Sequence, residues 1–297
     1  MIRAFLNLLL LALFTLHISS AQAEDVSSVY LERLEIEAQD GSGFSAYELA
    51  KAYEKLEDYA KAEQWYRFAF YKNNGRAALN LYFLYKKGFI KLEGAETVKN
   101  FGIDMITAEA SQGDGSAALY LAVVYMRGEL TEKNYDQSYE WFLKAHEDGK
   151  PMASYHLGMI YLNGLFKNTS HRKALRYFEK ASIGGVERAT RQLALSYHTG
   201  ILHDQNLGKA ITLYERAAAQ GSVLAMRDLA NIYRDERPNT RKYLFWLNKA
   251  AKFEDPDAHY YLGVYYKGRD KKKSDQHFKK AASLEHHLAR KESDKSY

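Results

Sequence analysis

His286 and His287 form the one adjacent histidine pair in the chain, and they stand beside Glu285, so this trio has the residue types of a metal site. Neighbouring residues of a helix point about 100° apart, and the two rings would therefore make poor co-ligands. The chain contains no cysteine, which excludes a disulfide, a thiolate nucleophile, an iron–sulfur cluster and a cysteine-ligated zinc. We therefore expect neither a metal site nor a cofactor.

Motifs of the common catalytic sites are also missing from the sequence. There is no glycine-rich phosphate loop, no dinucleotide fingerprint, no zinc-protease histidine motif and no G-x-S-x-G. Aspartates and glutamates are scattered, without a spacing that pairs a general acid with a general base. We expect a protein that is not an enzyme, and keep an enzyme or an exported effector as the less favoured alternative.

The first residues have the features of a secretory signal peptide. Arg3 supplies a positive start, 4–18 is an apolar run rich in leucine, and 21–23 is an A-x-A cleavage site. The sequence predicts a signal peptide over 1–23 and a mature chain that begins at Glu24. The alternative is an uncleaved anchor, although the run is short compared with the roughly 20 residues that a spanning helix needs.

Composition indicates where such a chain would work. It has 297 residues, 46% hydrophobic and 27% charged, which excludes both a multi-span membrane protein and a disordered chain. Secreted animal proteins of this size usually carry disulfides, so a cysteine-free exported chain suits a bacterial periplasm or exterior. We expect a periplasmic or secreted protein without a transmembrane segment in its mature part.

A repeated motif fills the rest of the chain. A small residue is followed by leucine four positions on, a second small residue five on, and tyrosine eight on. Seven copies begin at Ser45, Ala77, Ala117, Ala153, Ala189, Ala225 and Ala258, at steps of 32 to 40 residues, and the second copy has Tyr82 in place of the second small residue. In the third, fourth and fifth copies, apolar residues then recur with helical spacing up to a glycine, so one unit is helix, loop, helix, loop. Repeats of this length predict an array whose stacked units share a core formed by the small, leucine and tyrosine positions.

The fourth copy shows the full pattern: Ala153, Leu157-Gly158 and Tyr161, followed by Ala174…Phe178…Ala181 and Gly184. It resembles the Sel-one-like repeats, a subclass of the tetratricopeptide superfamily. The resemblance implies an all-α fold, a right-handed α-solenoid of about seven helix-loop-helix repeats. It also implies a concave face that binds proteins or peptides, and family members in bacterial envelopes act as adaptors in assembly, secretion and signalling.

The resemblance divides the chain into four segments and is weaker in three repeats. The segments are a signal peptide over 1–23, a capping helix within 24–44, the solenoid over 45–284 and a basic polar tail over 285–297.

The first repeat is closer to a plain tetratricopeptide unit. The second has a loop over 91–100 and a weak second helix near 103–110, and the sixth has Arg237-Pro238-Asn239 in place of a glycine loop.

In the superfamily the first helix of each repeat lines the concave face, so the resemblance places certain positions in a groove. These positions hold nine arginines or lysines and two carboxylates, a basic bias in a nearly balanced chain. We expect partner contacts from Lys86, Arg127, Tyr155, Arg191, His198, Arg227, Arg234, Tyr260 and Lys267. Such a groove would take an acidic peptide segment of an envelope protein or an anionic polysaccharide of an export system, but not nucleic acid. The alternative is a solvated face without a ligand.

Overall fold

The computed structural model describes residues 20–165 and 167–293, so most of the predicted signal peptide lies outside the described residues. The described residues form 16 helices and no strand. The helices are, in chain order, α1 (Ser20–Gln39), α2 (Gly43–Lys55), α3 (Tyr59–Tyr71), α4 (Gly75–Lys86), α5 (Ala95–Ser111), α6 (Gly115–Arg127), α7 (Tyr135–Glu147), α8 (Pro151–Asn163), α9 (His171–Ile183), α10 (Glu187–Thr199), α11 (Leu207–Ala219), α12 (Val223–Asp235), α13 (Thr240–Ala251), α14 (Pro256–Tyr266), α15 (Lys271–Ser283) and α16 (His287–Ser293).

The helices pack in chain order within two compact units. The first unit is Met1–Leu121 with Glu129–Glu132, and the second is Ala122–Gly128 with Lys133–Tyr297. In the first unit, each helix from α1 to α4 packs on the next, and in the second unit the same holds from α7 to α15. This helix-on-helix stacking confirms the α-solenoid. No helix of the described part of the chain has the length and apolar character needed to cross a membrane.

The predicted core positions are buried. The seven small residues that begin the motif and the seven leucines four positions on are at most 6% exposed. The second small position lies against the aromatic ring of the repeat's second helix: a Cβ on Gly158 would come within 2.6 Å of Phe178 Cε1. A Cβ on Gly263 would lie 2.8 Å from Phe278 in the same way. The small residues therefore let the two helices of a repeat approach closely.

The tyrosines eight positions on are less buried than expected. Only Tyr161 and Tyr233 are fully buried, at 5% and 6% exposure, and Tyr85 is 41% exposed. In five repeats a lysine from the first turn of the second helix covers the ring, with Nζ 4.7–5.2 Å from the ring centroid. The pairs are Tyr53 with Lys61, Tyr161 with Lys173, Tyr197 with Lys209, Tyr233 with Lys242 and Tyr266 with Lys273. The cation–π contact therefore accompanies these tyrosines whether they are buried or half-buried.

Local capping residues set where the second helices begin and the first helices end. Ser170 accepts the backbone N–H of Lys173 at the start of α9, and Asn206 does the same for Lys209 at the start of α11. These side chains satisfy donors that the first turn leaves unpaired. Gly164 and Gly200 follow α8 and α10 with φ of 61° and 76°, the left-handed conformation that terminates a helix.

Three boundaries differ from the sequence expectations. Helix α1 covers Ser20–Gln39 and so begins before the segment 24–44 that was predicted to contain the capping helix, and α5 begins at Ala95, inside the predicted loop. The tail predicted from residue 285 contains α16, in which Ala289 is fully buried in a cluster with Phe278 and Ala281. The folded array therefore extends beyond residue 284, because an apolar contact holds the polar end on α15.

Candidate partner-binding surface

Most of the predicted contact residues lie on the first helices of repeats in the second unit. We call this set, together with Lys267 directly after α14, the first-helix face, and it consists of Arg127, Tyr155, Arg191, His198, Arg227, Arg234, Tyr260 and Lys267. Lys86 is exposed at the end of α4 in the first unit and is not part of it. The environment of each side chain decides what the face can bind.

Arg191 on α10 is held by a carboxylate from the next repeat. Its Nε and Nη2 donate to Asp228 Oδ2 and Oδ1 on α12, at 2.6 and 3.3 Å. The side chains are 24% and 20% exposed, so the pair is half-buried. A two-point contact of this kind fixes the guanidinium and neutralises it inside the protein.

Arg227 on α12 makes the same kind of contact one repeat further along the chain. Its Nη1 pairs with the carboxylate of Asp257 and lies 3.7 Å from Asp255 Oδ2. Asp255 also caps α14 by accepting the Ala258 N–H at 2.8 Å, and Asp257 Oδ1 lies 3.3 Å from His286 Nε2. Ion pairs thus join α10 to α12 and α12 to α14.

His198 and Arg234 of the face also have partners within the chain. His198 Nε2 lies 2.7 Å from Glu236 Oε1, and its Nδ1 is 3.3 Å from the hydroxyl of buried Tyr214. Arg234 pairs with Asp235 at 2.7 Å, which holds the pKa of that carboxyl below its usual range.

Lys267 follows the same rule, since its Nζ lies 2.5 Å from Glu292 Oε2 on α16. The face therefore combines both signs of charge in place of the expected basic groove. The residues that sequence reasoning missed are the acidic partners Asp228, Asp255, Glu236 and Glu292. Each of them follows its basic partner by 25 to 38 residues, about one repeat, and that spacing was the available signal.

The two tyrosines of the face are half-buried against internal aromatic rings. The ring centroid of Tyr155 lies 6.2 Å from that of Phe178, and Tyr260 stacks on His286 at 4.4 Å. Tyr155 also meets His156 edge-on at 5.5 Å. Each tyrosine presents only part of its ring to a ligand.

His156 lies beside these groups and is the most strongly perturbed histidine. Its ring stacks on Phe142 at 4.9 Å. Burial, aided by the positive charges of Arg188 and Arg127, lowers the pKa of His156 to about 4. The imidazole is therefore neutral at physiological pH, and it adds no charge to the face.

A recess in the second unit was not anticipated from the sequence. It encloses about 500 Å³ and is lined by Glu179, Leu193, Tyr197, His203, Gly208, Lys209, Thr212 and Leu213, which we call the His203 recess. His203 stacks on Tyr197 with centroids 4.0 Å apart. Its Nε2 is buried and has no hydrogen-bond partner among the described residues. A mainly apolar recess with one unpaired imidazole nitrogen suits a side chain that carries a polar atom.

Groups that could bind a metal through three or more side chains are not found among residues 20–165 and 167–293. The adjacent pair His286 and His287 is held in other contacts. His286 Nδ1 accepts the backbone N–H of Ala289 at 3.2 Å, which caps α16, while its ring stacks on that of His287 at 5.5 Å. This pair stabilises the chain end.

The Arg191–Asp228 pair gives a direct test of the internal neutralisation. Arg191→Glu would place two carboxylates together, and we expect a loss of about 1–3 kcal/mol in the free energy of unfolding, measured by urea denaturation. The swapped double variant, Arg191→Asp with Asp228→Arg, should recover most of that loss. Arg176→Glu, at an exposed position of α9, is the control and should change stability by less than about 0.5 kcal/mol. Equal effects at positions 191 and 176 would show that the pair is not stabilising.

Comparison with known proteins agrees with this architecture. A solved Sel1 repeat protein from Oxalobacter formigenes is 22% identical, with a TM-score of 0.64 over 80% of this chain and 99% of that one. The protective antigen c5321 of uropathogenic Escherichia coli, which displays an SLR fold, is 23% identical, with a TM-score of 0.58 over 90% of this chain and 67% of that one. These likenesses concern the fold. No curated protein matches the sequence significantly.

The family model of the Sel1 repeat matches five stretches of the sequence. The matched residues are 43–74, 115–149, 151–186, 188–222 and 256–286, more than half of the chain. The unmatched stretches between them contain the second and sixth repeats, both of which were expected to depart from the pattern, whereas the first repeat is matched. The chain belongs to the Sel1 repeat family.

Proposed function

We propose that the chain is an exported, non-enzymatic scaffold that holds a protein partner on the first-helix face, in a process of the bacterial cell envelope such as assembly, secretion or signalling. Sel1 repeat proteins generally mediate protein–protein interaction. The observation that carries the proposal is the charge pairing of Arg191 and Arg227 with Asp228 and Asp257. A face with both signs of charge and half-exposed aromatic rings is typical of protein interfaces.

The same observation weighs against an anionic polysaccharide on this face. A polyanion gains binding energy from cations that it can neutralise, and these arginines already have carboxylate partners. The basic residues of α9 are better candidates for binding an anionic polysaccharide. Lys173, Arg176 and Lys180 line a cavity of about 480 Å³ together with His146 and Tyr177. Binding of an acidic polymer that Arg176→Glu abolishes and the 191/228 swap leaves intact would favour that alternative.

The swap tests the protein-binding proposal without damaging the repeat. Wild type and the 191/228 swap would each be tagged and purified with bound proteins from envelope extracts, and the proteins quantified by mass spectrometry. We expect at least one partner to be depleted about tenfold with the swap, because its contacts would meet reversed charges. Arg176→Glu should retain that partner. An identical set of proteins from all three would contradict the use of this face.

Export belongs to the same proposal and rests on the predicted signal peptide. We propose a periplasmic or secreted mature chain that begins at Glu24. The intact mass of the protein from the periplasmic fraction should correspond to a chain without residues 1–23. A full-length mass would contradict cleavage before Glu24, and recovery only from the cytoplasm would contradict export.

A further inference from the structure

The second helices of the last four repeats carry a strong excess of positive charge. Helices α9, α11, α13 and α15 together contain fourteen lysines and arginines against three carboxylates. The first helices of the same repeats, α8, α10, α12 and α14, contain four of each. The excess begins at α9, because α7 has one lysine and three carboxylates. We call the lysines and arginines of these four second helices, together with Ile183 and Phe245, the second-helix face.

Basic residues of this face form two rows that run from repeat to repeat. The third residue of each helix is a lysine, namely Lys173, Lys209, Lys242 and Lys273. The tenth residue is also basic, namely Lys180, Arg216, Lys249 and Lys280. Lys180 Nζ lies 3.3 Å from His146 Nε2 on α7. Arg216 Nη2 donates to the carbonyl oxygen of Ser182 on α9 at 2.9 Å. Successive second helices therefore lie side by side, and their charges form one extended surface.

Most cations of the two rows are held by groups that carry no charge. The lysines of the first row lie over tyrosine rings. In the second row the partners include an imidazole, a backbone carbonyl and the ring of Trp246, whose centroid is 5.2 Å from Lys249 Nζ. Within the described part of the chain, carboxylates pair with these rows only on α15. The pairs are Asp270 with Lys273 and Glu254 with Lys280. The positive charge of the face is therefore mostly available to a ligand, unlike that of the paired arginines of the first-helix face.

Two exposed apolar side chains lie among these cations. Ile183 at the end of α9 is 80% exposed, and Phe245 on α13 is 56% exposed. Ile183 lines the same cavity as Arg176 and Lys180. Phe245 follows Arg241 by four residues, so both project from the same side of α13. Apolar side chains within a basic helical face are typical of proteins that lie on a lipid surface.

The combination of charge and apolar exposure favours one kind of ligand. A soluble polyanion would contact the cations but gain nothing from Ile183 and Phe245. A lipid surface uses both, because anionic headgroups attract lysine and arginine while the boundary with the acyl chains accepts apolar side chains. We propose that the second-helix face binds the surface of a membrane that contains anionic phospholipids. The first-helix face is carried by other helices, so the protein would hold its partner near that membrane.

Co-sedimentation of the mature full chain with lipid vesicles tests the proposal. Vesicles of phosphatidylcholine alone would be compared with vesicles of equal parts phosphatidylcholine and phosphatidylglycerol. We expect binding to the anionic vesicles and little binding to the neutral ones. Binding to the anionic vesicles should fall as sodium chloride is added, because salt screens the attraction between exposed charges.

A charge reversal measures the contribution of the face. Arg172→Glu combined with Arg241→Glu should weaken binding to the anionic vesicles at least about twentyfold, since each basic residue at such a surface contributes roughly fivefold. Both residues are exposed and stand second in their helices, where a glutamate suits the helix dipole, so the variant should fold. Lys55→Glu combined with Lys91→Glu is the matched control. It changes the net charge equally at exposed positions of the first unit and should bind like the wild type.

Phe245→Ser separates a lipid surface from a soluble polyanion. It should weaken binding to the anionic vesicles several-fold and leave binding to polygalacturonate unchanged. Circular dichroism shows whether each variant is folded, and the comparison of the two vesicles with wild type stays decisive if one is not. Equal binding to neutral and anionic vesicles, unchanged vesicle binding by either folded variant, or tighter binding to polygalacturonate than to the anionic vesicles would overturn the proposal. None of these results bears on partner binding at the first-helix face.

Discussion

Phe178→Ala should lower the free energy of unfolding by about 3–5 kcal/mol, the largest loss that we expect from one substitution. The ring is fully buried on α9 and lies in a cluster with Tyr161, Ala174 and Val186. Gly158 provides the gap that the ring occupies, since even a methyl group there would meet it at 2.6 Å. Truncation leaves a cavity between α8 and α9, which stiff helix backbones cannot close.

Urea denaturation followed by circular dichroism measures the loss. Phe245→Ala is the matched control, because Phe245 lies on a second helix as well but is 56% exposed, and its loss should stay below about 1 kcal/mol. A loss below about 1 kcal/mol for Phe178→Ala would mean that this contact does not hold the repeat together.

Acid should weaken the fold through His156, which gives the second large effect. The folded pKa is about 4, below the unfolded value of 6.5, because burial disfavours the imidazolium. Between these values the unfolded chain binds the proton and the folded chain does not, so stability falls as pH drops. Above pH 6.5 the imidazole is neutral in both states and does not reduce the free energy of unfolding. By pH 4 the free energy of unfolding should have fallen by about 2–3 kcal/mol.

Replacing this histidine isolates its share of the acid sensitivity. Unfolding free energies of wild type and His156→Phe would be compared from pH 7.5 to pH 4, and the variant should lose less stability over that range. His171→Gln, at an exposed histidine at the start of α9, should follow the wild-type curve. Parallel curves for wild type and His156→Phe would show that folding does not lower the pKa of this imidazole.

The repeat motif predicted the fold well because packing within a single repeat determines the residue type at each of its positions. A small residue opposite Phe178 or Phe278 is required wherever two helices touch, so Gly158 and Gly263 could be interpreted from spacing alone. The exposure of Tyr85 and Tyr197 could not, since it depends on how closely neighbouring helices pack around each ring. The boundaries near 95 and 287 were missed because single buried contacts, such as that of Ala289, decide them.

The candidate surface was predicted less completely than the fold. Helical spacing identified Arg191 and Arg227 as neighbours on successive first helices. It could not show that Asp228 and Asp257 meet them, because such contacts depend on the register between repeats, which one repeat's sequence does not specify. His203 was missed for the same reason, since its neighbours come from several helices.

Site-specific photo-crosslinking in intact cells tests the central claim most directly. The probe belongs at Asn231, which is exposed on α12 between Arg227 and Arg234, with a control probe at exposed Arg241 on the second helix of the same repeat. If the first-helix face holds a protein partner, position 231 should yield one or a few dominant protein adducts that position 241 does not. No adduct from 231, or the same adducts from both positions, would contradict the scaffold proposed here.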